Sequence, residues 1–363
     1  MLTNDAQLVY RADNHVGTFH NEPSTAVNCM TIIRSKILQS LFKPGYCYSS
    51  QACYLAEATL TMIVQAMLFG WKGATIFQAG PSKAMNWYGT NGTGSHGAAG
   101  PRVGDGDAMC GNAVMYDATA GKILVIGGSI DYQNANATAN AHIVTIGPPM
   151  SAAAVQTISP MSYPRIFANA VVLPTGAVFI SGGQNYGIPF SDNGSQLQPE
   201  MWDPVSTTFT KLAPQAIPRN YHSIGLLLPD ATILSAGGGL CGACATNHYD
   251  GQIYSPSYLF TPNGSRATRP VIESAPAQVS VGGTLTATTN APVTAWAMLR
   301  LGATTHTVNT DQRRIPLNAT ANGTTYTMTL PADPGVLIPG YYYLFAMNAA
   351  VPSLAKFVSV PVP

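Results

Sequence analysis

Three segments that end in paired glycines decide the fold: KILVIGG at 122–128, GAVFISGG at 176–183 and ATILSAGG at 231–238. Each is a short apolar run, and the second glycine recurs at positions 128, 183 and 238, a step of 55 residues. A period near 50 with several short strands per unit is typical of kelch-type β-propellers. We therefore predict about four propeller blades in residues 66–266.

The pattern changes after residue 266. Residues 267–363 contain Thr- and Val-rich segments with alternating polarity, such as VSVGGTLTATT and YYYLFAMN. Such strands at this spacing are typical of an immunoglobulin-like sandwich. The predicted fold class is therefore all-β, a partial kelch-type β-propeller followed by an immunoglobulin-like β-sandwich.

The composition excludes several classes of function. Only 9% of the residues are charged, the formal net charge is +1, and no basic stretch could neutralise a row of phosphates, so nucleic acid is not expected as a partner. The longest apolar run, 55–71, contains Glu57 and has fewer than about 18 clean apolar residues, so no membrane span is predicted.

Residues 16–65 fit neither strand pattern and contain three of the six cysteines, Cys29, Cys47 and Cys53. We interpret this stretch as an atypical insertion. Its first codon, for valine, begins GT, and the codon of Gln65 can end in AG, so a retained intron is one explanation. A genuine loop or regulatory insert is the other.

Three segments carry residues suited to a metal. Tyr221 and His222 are adjacent, His306 lies in a Thr-rich segment, and Cys241 and Cys244 form a CxxC. Imidazoles combined with phenolates suit copper(II), although a Tyr-His pair on a strand is more often structural. The CxxC has no second such pair and no histidines at zinc spacing, which leaves a short-loop disulfide or a thiol pair.

Much of the chain outside 16–65 resembles galactose oxidase and its fungal relatives, the copper radical oxidases. The segments that carry the resemblance are YRADNH (10–15), FGWKGATIFQAGPSKAMNWY (69–88), DAMCGNAVMYDATAGKI (107–123), GGSIDYQ (127–133), GGQNYGIPF (182–190), NYHSIGLLLPD (220–230), GGGLCGACATNH (237–248) and THTVNTDQRRIPL (305–317). Their length and order exclude coincidence. Residues 1–15 are therefore assigned to the propeller together with 66–266.

The resemblance implies roles for individual residues. Tyr221 is expected to be the axial tyrosine and catalytic base, and His222 and His306 the two equatorial ligands of one copper ion. Cys241 and Cys244 are expected to form a disulfide beside the site. The substrate pocket is expected to contain Arg11, Gln7, Tyr10, Gln133 and Phe190, with His15 and Cys110 near the metal but not bound to it.

The resemblance also implies a reaction. Members of the family oxidise a primary alcohol, including galactose-like sugars, to an aldehyde and reduce O2 to hydrogen peroxide. One oxidising equivalent is held by copper and the other by a tyrosine joined to a cysteine. In the family that pair precedes the YRADNH segment, so we expect the radical cofactor not to be encoded in this chain and the chain to be inactive. The alternative is a non-catalytic kelch-type binding or interaction module.

Location and assembly follow from the same resemblance. The full-length family is expected to be secreted and monomeric. The N-terminal MLTNDAQLVYRADNH has no basic region followed by an apolar run, so no signal peptide is predicted in this chain, and we expect the reading frame to continue upstream of Met1.

Overall fold

The computed structural model describes residues 67–362, which form twenty-six β-strands and one short 3₁₀ helix, Ser257–Leu259. The predicted all-β class is confirmed. Residues 16–65, predicted to be an insertion, and the YRADNH segment lie outside the described residues. No helix within the described residues is both long and apolar enough to cross a membrane.

Four antiparallel sheets follow one another along residues 68–254, as expected for four propeller blades. In each sheet, strands that are neighbours in sequence are also neighbours in space. Their strands are β1 (Leu68–Trp71), β2 (Thr75–Gln78), β3 (Ala84–Gly89) and β4 (Ser95–Pro101) in sheet 1; β5 (Asn112–Asp117), β6 (Lys122–Ile126), β7 (Ala141–Thr145) and β8 (Ala154–Thr157) in sheet 2; β9 (Ile166–Val172), β10 (Val178–Gln184), β11 (Glu200–Trp202) and β12 (Phe209–Lys211) in sheet 3; and β13 (Ser223–Leu227), β14 (Ile233–Gly237) and β15 (Gly251–Tyr254) in sheet 4.

The C-terminal part contains two further sheets and a small hairpin. One sheet has the order β16-β17-β23-β22, and the other has the order β21-β18-β24-β25 with β26 on β24. The strands are β16 (Ile272–Ser274), β17 (Thr284–Thr289), β18 (Ala295–Arg300), β19 (Thr304–Thr305), β20 (Val308–Asn309), β21 (Arg314–Leu317), β22 (Ala319–Asn322), β23 (Thr325–Thr329), β24 (Gly340–Asn348), β25 (Val351–Pro352) and β26 (Lys356–Val360). Strands β19 and β20 pair only with each other. The domain limits 66–266 and 267–363 stay predictions.

Sheets 2, 3 and 4 meet through their first strands. Strand β9 contacts β5 on one side and β13 on the other. All seven residues of β9 are buried, and so are the first five of β5. Burial on both faces explains why these strands are mostly apolar and do not alternate between apolar and polar residues. Their buried polar residues, Asn169 and Asn112, donate to the Ser223 hydroxyl and to the Ala168 carbonyl, each at 2.7 Å. The first strands of sheets 2, 3 and 4 therefore form a buried centre, and the loops next to them are attached to it.

The glycine pairs at 127–128 and 182–183 each join one sheet to the start of the next. Gly182 and Gly183 have φ values of 70° and 83°, which favour glycine. The Gly183 amide donates to the carbonyl of Arg219 at 2.9 Å, at the start of sheet 4. A Cβ at Gly182 would lie 1.9 Å from that same carbonyl oxygen. The repeat in the sequence therefore marks a close backbone crossing between adjacent sheets.

Buried arginines complete this crossing. Arg165 is fully buried, donates to the Gly182 carbonyl at 2.7 Å and forms an ion pair of 3.0 Å with Glu200. Arg219 repeats the arrangement with the Gly237 carbonyl at 3.0 Å and Asp250 at 2.8 Å. Both follow a proline in the segment that leads into the first strand of a sheet, as does Arg102, and Arg165 directly precedes its strand. This Pro-Arg repeat is a signal that the sequence analysis missed.

Candidate metal centre

Three of the predicted donor side chains come together where sheet 4 meets the hairpin of β19 and β20. The ring centroids of Tyr221 and His222 are 3.9 Å apart and those of His222 and His306 are 4.9 Å apart. The Tyr221 and His306 centroids are separated by 5.9 Å. Metal–nitrogen bonds are about 2 Å long, so rings at these separations can direct their donor atoms at a single ion.

His222 is held in the orientation that a metal ligand requires. Its Nδ1 lies 2.8 Å from the carbonyl oxygen of Gly239. A carbonyl only accepts, so Nδ1 carries the hydrogen and donates. In the neutral ring Nε2 then keeps a lone pair that can bind a metal, and the carbonyl fixes both tautomer and ring angle.

Tyr221 is enclosed by aromatic rings and has only 8% of its surface exposed. The rings of Phe167, Phe190 and Tyr132 lie 5.1, 5.2 and 5.7 Å from it, and the Gly239 amide donates to its carbonyl at 3.0 Å. Burial raises the pKa of Tyr221, while a hydrogen bond from the Tyr132 hydroxyl opposes this by lowering it. The pKa of Tyr132 is raised, by burial first and then by donating that hydrogen bond.

His306 lies in the turn of the hairpin between β19 and β20. Its φ is 52° and that of Thr307 is 63°. Burial, and secondarily the neighbouring His222, lowers the pKa of His306. The ring is thereby favoured in its neutral form, which is the form that binds a metal. Thr304 donates to the Gly225 carbonyl of β13 at 3.4 Å, a weak contact that ties the hairpin to sheet 4.

The donor set fits copper better than zinc or an oxygen-binding ion. Two neutral imidazoles and one phenol oxygen are borderline donors of the kind that copper(II) prefers. Within residues 67–362 no group of three or more His, Cys, Asp and Glu side chains could hold a metal. Since the third donor here is a tyrosine, that absence agrees with the arrangement.

The backbone around the three donors is unusual. Non-glycine residues with positive φ occur at Cys110 (54°), Phe167 (62°) and Phe190 (60°), in addition to His222 (67°) and His306 (52°). Such conformations cost of order 1–3 kcal/mol each and persist where the surrounding structure imposes them. Five of the fifteen such residues among 67–362 thus lie at the donors or in the residues packed around them.

Cys241 and Cys244 are joined in a disulfide within the loop that follows Gly239. In the same loop, the side chain of Thr246 donates to the Phe190 carbonyl at 3.2 Å. His248 lies 3.1 Å from the carboxylate of Asp192. The loop thus connects the backbone partner of His222 to the segment that carries Phe190.

The predicted substrate residues are only partly within the described structure. Phe190 lies over the donor set, 5.2 Å from the Tyr221 ring and 5.6 Å from the His222 ring, and is 44% exposed. Gln133 is exposed on the loop after β6, next to Tyr132. Gln7, Tyr10, Arg11 and His15 lie outside the described residues. Cys110 is buried in one cluster with Tyr221 and Phe167.

Three residues of the site were not predicted from the sequence. Tyr132 and Phe167 pack on Tyr221, and Asn220 donates to the Ser191 carbonyl at 3.0 Å and to the Ser195 hydroxyl at 2.8 Å. Tyr132 and Asn220 adjoin residues that were selected, Gln133 and Tyr221, and that adjacency was the available signal. Nothing in the sequence distinguishes Phe167 from the other core aromatics.

Two family models match the chain. The model described as galactose oxidase-like, early set domain, matches residues 269–360, and the model described as glyoxal oxidase N-terminus matches residues 111–254. The two matched regions correspond to the two-sheet C-terminal part and to sheets 2 to 4.

Curated relatives and a solved structure agree with these matches. A galactose oxidase of Gibberella zeae is 52% identical over 303 residues, covering 81% of this chain and 45% of the relative. An aldehyde oxidase GLOX of Vitis pseudoreticulata is 31% identical over 221 residues, covering 55% of this chain and 42% of the relative. A fungal alcohol oxidase of the AA5 family, solved in complex with copper, superimposes with a TM-score of 0.80 at 51% identity, covering 82% of this chain and 63% of that one. The chain thus spans less than half the length of these curated relatives.

Proposed function

This chain belongs to the galactose oxidase-like family, and on that premise we propose that Tyr221, His222 and His306 are the protein ligands of one copper ion in an alcohol oxidase. The observation that carries the proposal is the convergence of two imidazoles and a buried phenol from two parts of the chain. Support comes from the solved alcohol oxidase, which contains copper.

The reaction we propose converts a primary alcohol and O2 into an aldehyde and hydrogen peroxide. Two electrons and two protons leave the alcohol and reduce the O2. Bound copper would supply one of the two oxidising equivalents. The family resemblance implies that a tyrosine joined to a cysteine supplies the other, and we assign no residue of this chain to that role.

The side chains of this chain have separate tasks. The phenolate oxygen of Tyr221 accepts the hydroxyl proton of the alcohol, as a general base. Burial raises the pKa of Tyr221 and so makes its phenolate a stronger base, while the hydrogen bond from Tyr132 acts in the opposite direction by lowering that pKa. The Gly239 carbonyl keeps the lone pair of His222 directed inward. Phe190 forms an apolar wall beside the donors and limits the access of water.

The substrate we propose is a galactose-like sugar or another primary alcohol. Among the described residues the proposal is supported by Phe190 beside the donor set and Gln133 on the adjoining loop. Arg11 is proposed to donate hydrogen bonds to sugar hydroxyls, and Gln7 and Tyr10 are proposed to line the same pocket. Secretion and a monomeric state are proposed for the full-length protein from the same family membership.

A copper titration followed by a peroxide assay tests this function. We expect the 363-residue chain to bind one copper(II) with an electron paramagnetic resonance pattern of two nitrogen ligands. We also expect no peroxide release with galactose, because the second oxidising equivalent has no assigned site. Peroxide release would contradict the proposed inactivity, and failure to bind copper would favour the non-catalytic binding module.

The variant Tyr221→Phe should separate the phenol from the imidazoles. Removing one oxygen ligand while keeping the ring should weaken copper binding about 100-fold, the upper limit of the cost of losing a residue that only orients a ligand. The two-nitrogen resonance pattern should persist, and any absorption due to phenolate-to-copper charge transfer should disappear. Tyr254→Phe, on the distant strand β15, is the matched control and should leave both properties unchanged. Retention of the absorption in Tyr221→Phe would exclude Tyr221 as a ligand.

A further inference from the structure

Residues Asp311–Arg314, here called the docking segment, lie between sheets 2 and 3. The Met115 amide of β5 donates to the Gln312 carbonyl at 3.3 Å, and the Ala118 amide donates to the Arg314 carbonyl at 2.9 Å. Met115 and Arg313 form a parallel bridge. The backbone of the docking segment therefore lies along β5 in the manner of an additional strand.

The Gln312 side chain connects the docking segment to sheet 3. Its Oε1 accepts from the Val172 amide at 3.1 Å, and its Nε2 donates to the Ala170 carbonyl at 2.8 Å. Gln312 is only 3% exposed. A carboxamide has the donor and acceptor of a peptide group, so Gln312 occupies the place of a neighbouring strand's backbone beside β9.

The docking segment immediately follows the hairpin that carries His306. Hairpin strand β20 contacts β9, and β19 contacts β13. Asp311 accepts from Arg300 at 2.7 Å and also forms an ion pair with Arg313, which in turn donates to the Gly70 carbonyl at 3.0 Å. Only five residues separate Gln312 from His306, so we expect a shift at Gln312 to reach the imidazole.

We propose that Gln312 is a positioning residue that determines where His306 meets Tyr221 and His222. The proposal rests on the copper centre described above and names the contact that places its third ligand. The His306 side chain comes from the C-terminal part, while Tyr221 and His222 lie directly before β13, the first strand of sheet 4. The three donor side chains converge only if the C-terminal part is held in a fixed position against the sheets. The Gln312 carboxamide contributes to this through its hydrogen bonds to Val172 and Ala170 of β9.

The test compares Gln312→Ala with Gln312→Glu in the full chain. In Gln312→Ala, copper(II) affinity should fall about 10-fold or more, the range for loss of a residue that orients a ligand. The resonance pattern should change from two nitrogen ligands to one. Gln312→Glu can still accept from the Val172 amide but, when ionised, places a buried carboxylate oxygen against the Ala170 carbonyl, so a loss at least as large as in Gln312→Ala is expected.

Leu124→Ala, in the buried interior of β6, is the control for a purely structural effect. This variant should lower the melting temperature but leave the copper(II) affinity and the two-nitrogen resonance pattern unchanged. If Gln312→Ala also keeps them, Gln312 does not position His306.

A copper-free measurement distinguishes failure of this inference from failure of the proposed function. The His306 ring lies 5.9 Å from Tyr221 and 4.9 Å from His222, so its proton resonances should be displaced by ring currents. His306→Ala identifies those resonances. In Gln312→Ala they should move towards the values of an exposed histidine, whether or not copper binds. Unchanged resonances would overturn the inference even if the wild-type chain binds copper.

Discussion

Replacing His222 by alanine should lower the copper(II) affinity of the chain by about 100-fold or more. Loss of a residue that merely orients a ligand costs about 10- to 100-fold in metal affinity, so loss of the ligand itself should reach or exceed the upper limit. The Gly239 carbonyl would also lose the partner that it holds at 2.8 Å. Competition titration against a chelator of known affinity measures the change.

His96→Ala is the matched control for this experiment. His96 is an exposed histidine on β4, 3.1 Å from the side chain of Asn86, in sheet 1 and outside the donor set. We expect its removal to leave copper affinity unchanged and the two-nitrogen pattern intact. Equal affinities of His222→Ala and His96→Ala would refute the assignment of the metal centre.

Replacing Gly182 by alanine should destabilise the fold by about 4 kcal/mol, the sum of a strained backbone conformation and a steric overlap. The φ of 70° disfavours any residue with a Cβ, and that Cβ would lie 1.9 Å from the Arg219 carbonyl oxygen. The atom in the way belongs to the backbone, so a rotamer change cannot relieve the overlap. Urea unfolding, or the yield of soluble protein, reports the loss.

Gly104→Ala isolates the conformational part of that cost. Gly104 has a φ of 77°, but nothing lies within 4 Å of the position of its Cβ. We expect a loss of about 1–2 kcal/mol, the cost of a left-handed conformation alone. The difference between the two variants in free energy of unfolding measures the steric cost of a Cβ at the close crossing of sheets 3 and 4. Equal losses of stability would show that the crossing imposes no steric cost.

The sequence was sufficient to predict the repeated architecture. Apolar strands that end in paired glycines at a constant step require a repeated unit, and the structure has four successive antiparallel sheets in that region. The sequence was less informative about how adjacent sheets are joined. The Pro-Arg pairs at 164–165 and 218–219 lie outside the apolar pattern, and their role depends on carbonyls that are distant in sequence.

The candidate site shows the same division. Tyr221 and His222 are adjacent in the chain and were selected from the sequence, as was His306 through the resemblance. Tyr132 and Phe167 were not selected, because the sequence does not distinguish an aromatic residue that packs in a hydrophobic core from one that packs on a metal ligand. The tautomer of His222 could not be predicted either, since it depends on the direction of the Gly239 carbonyl.

By itself the sequence determined an all-β chain with a glycine-marked repeat, a Thr- and Val-rich C-terminal part and the donor types available for a metal, because these follow from composition and spacing along the chain. Only the tertiary structure decided that His306 meets Tyr221 and His222, that Gln312 bonds to the backbone of β9, and that a Cβ cannot fit at Gly182. These are contacts between residues far apart in sequence. Their distances depend on how whole sheets pack, which local propensity does not specify.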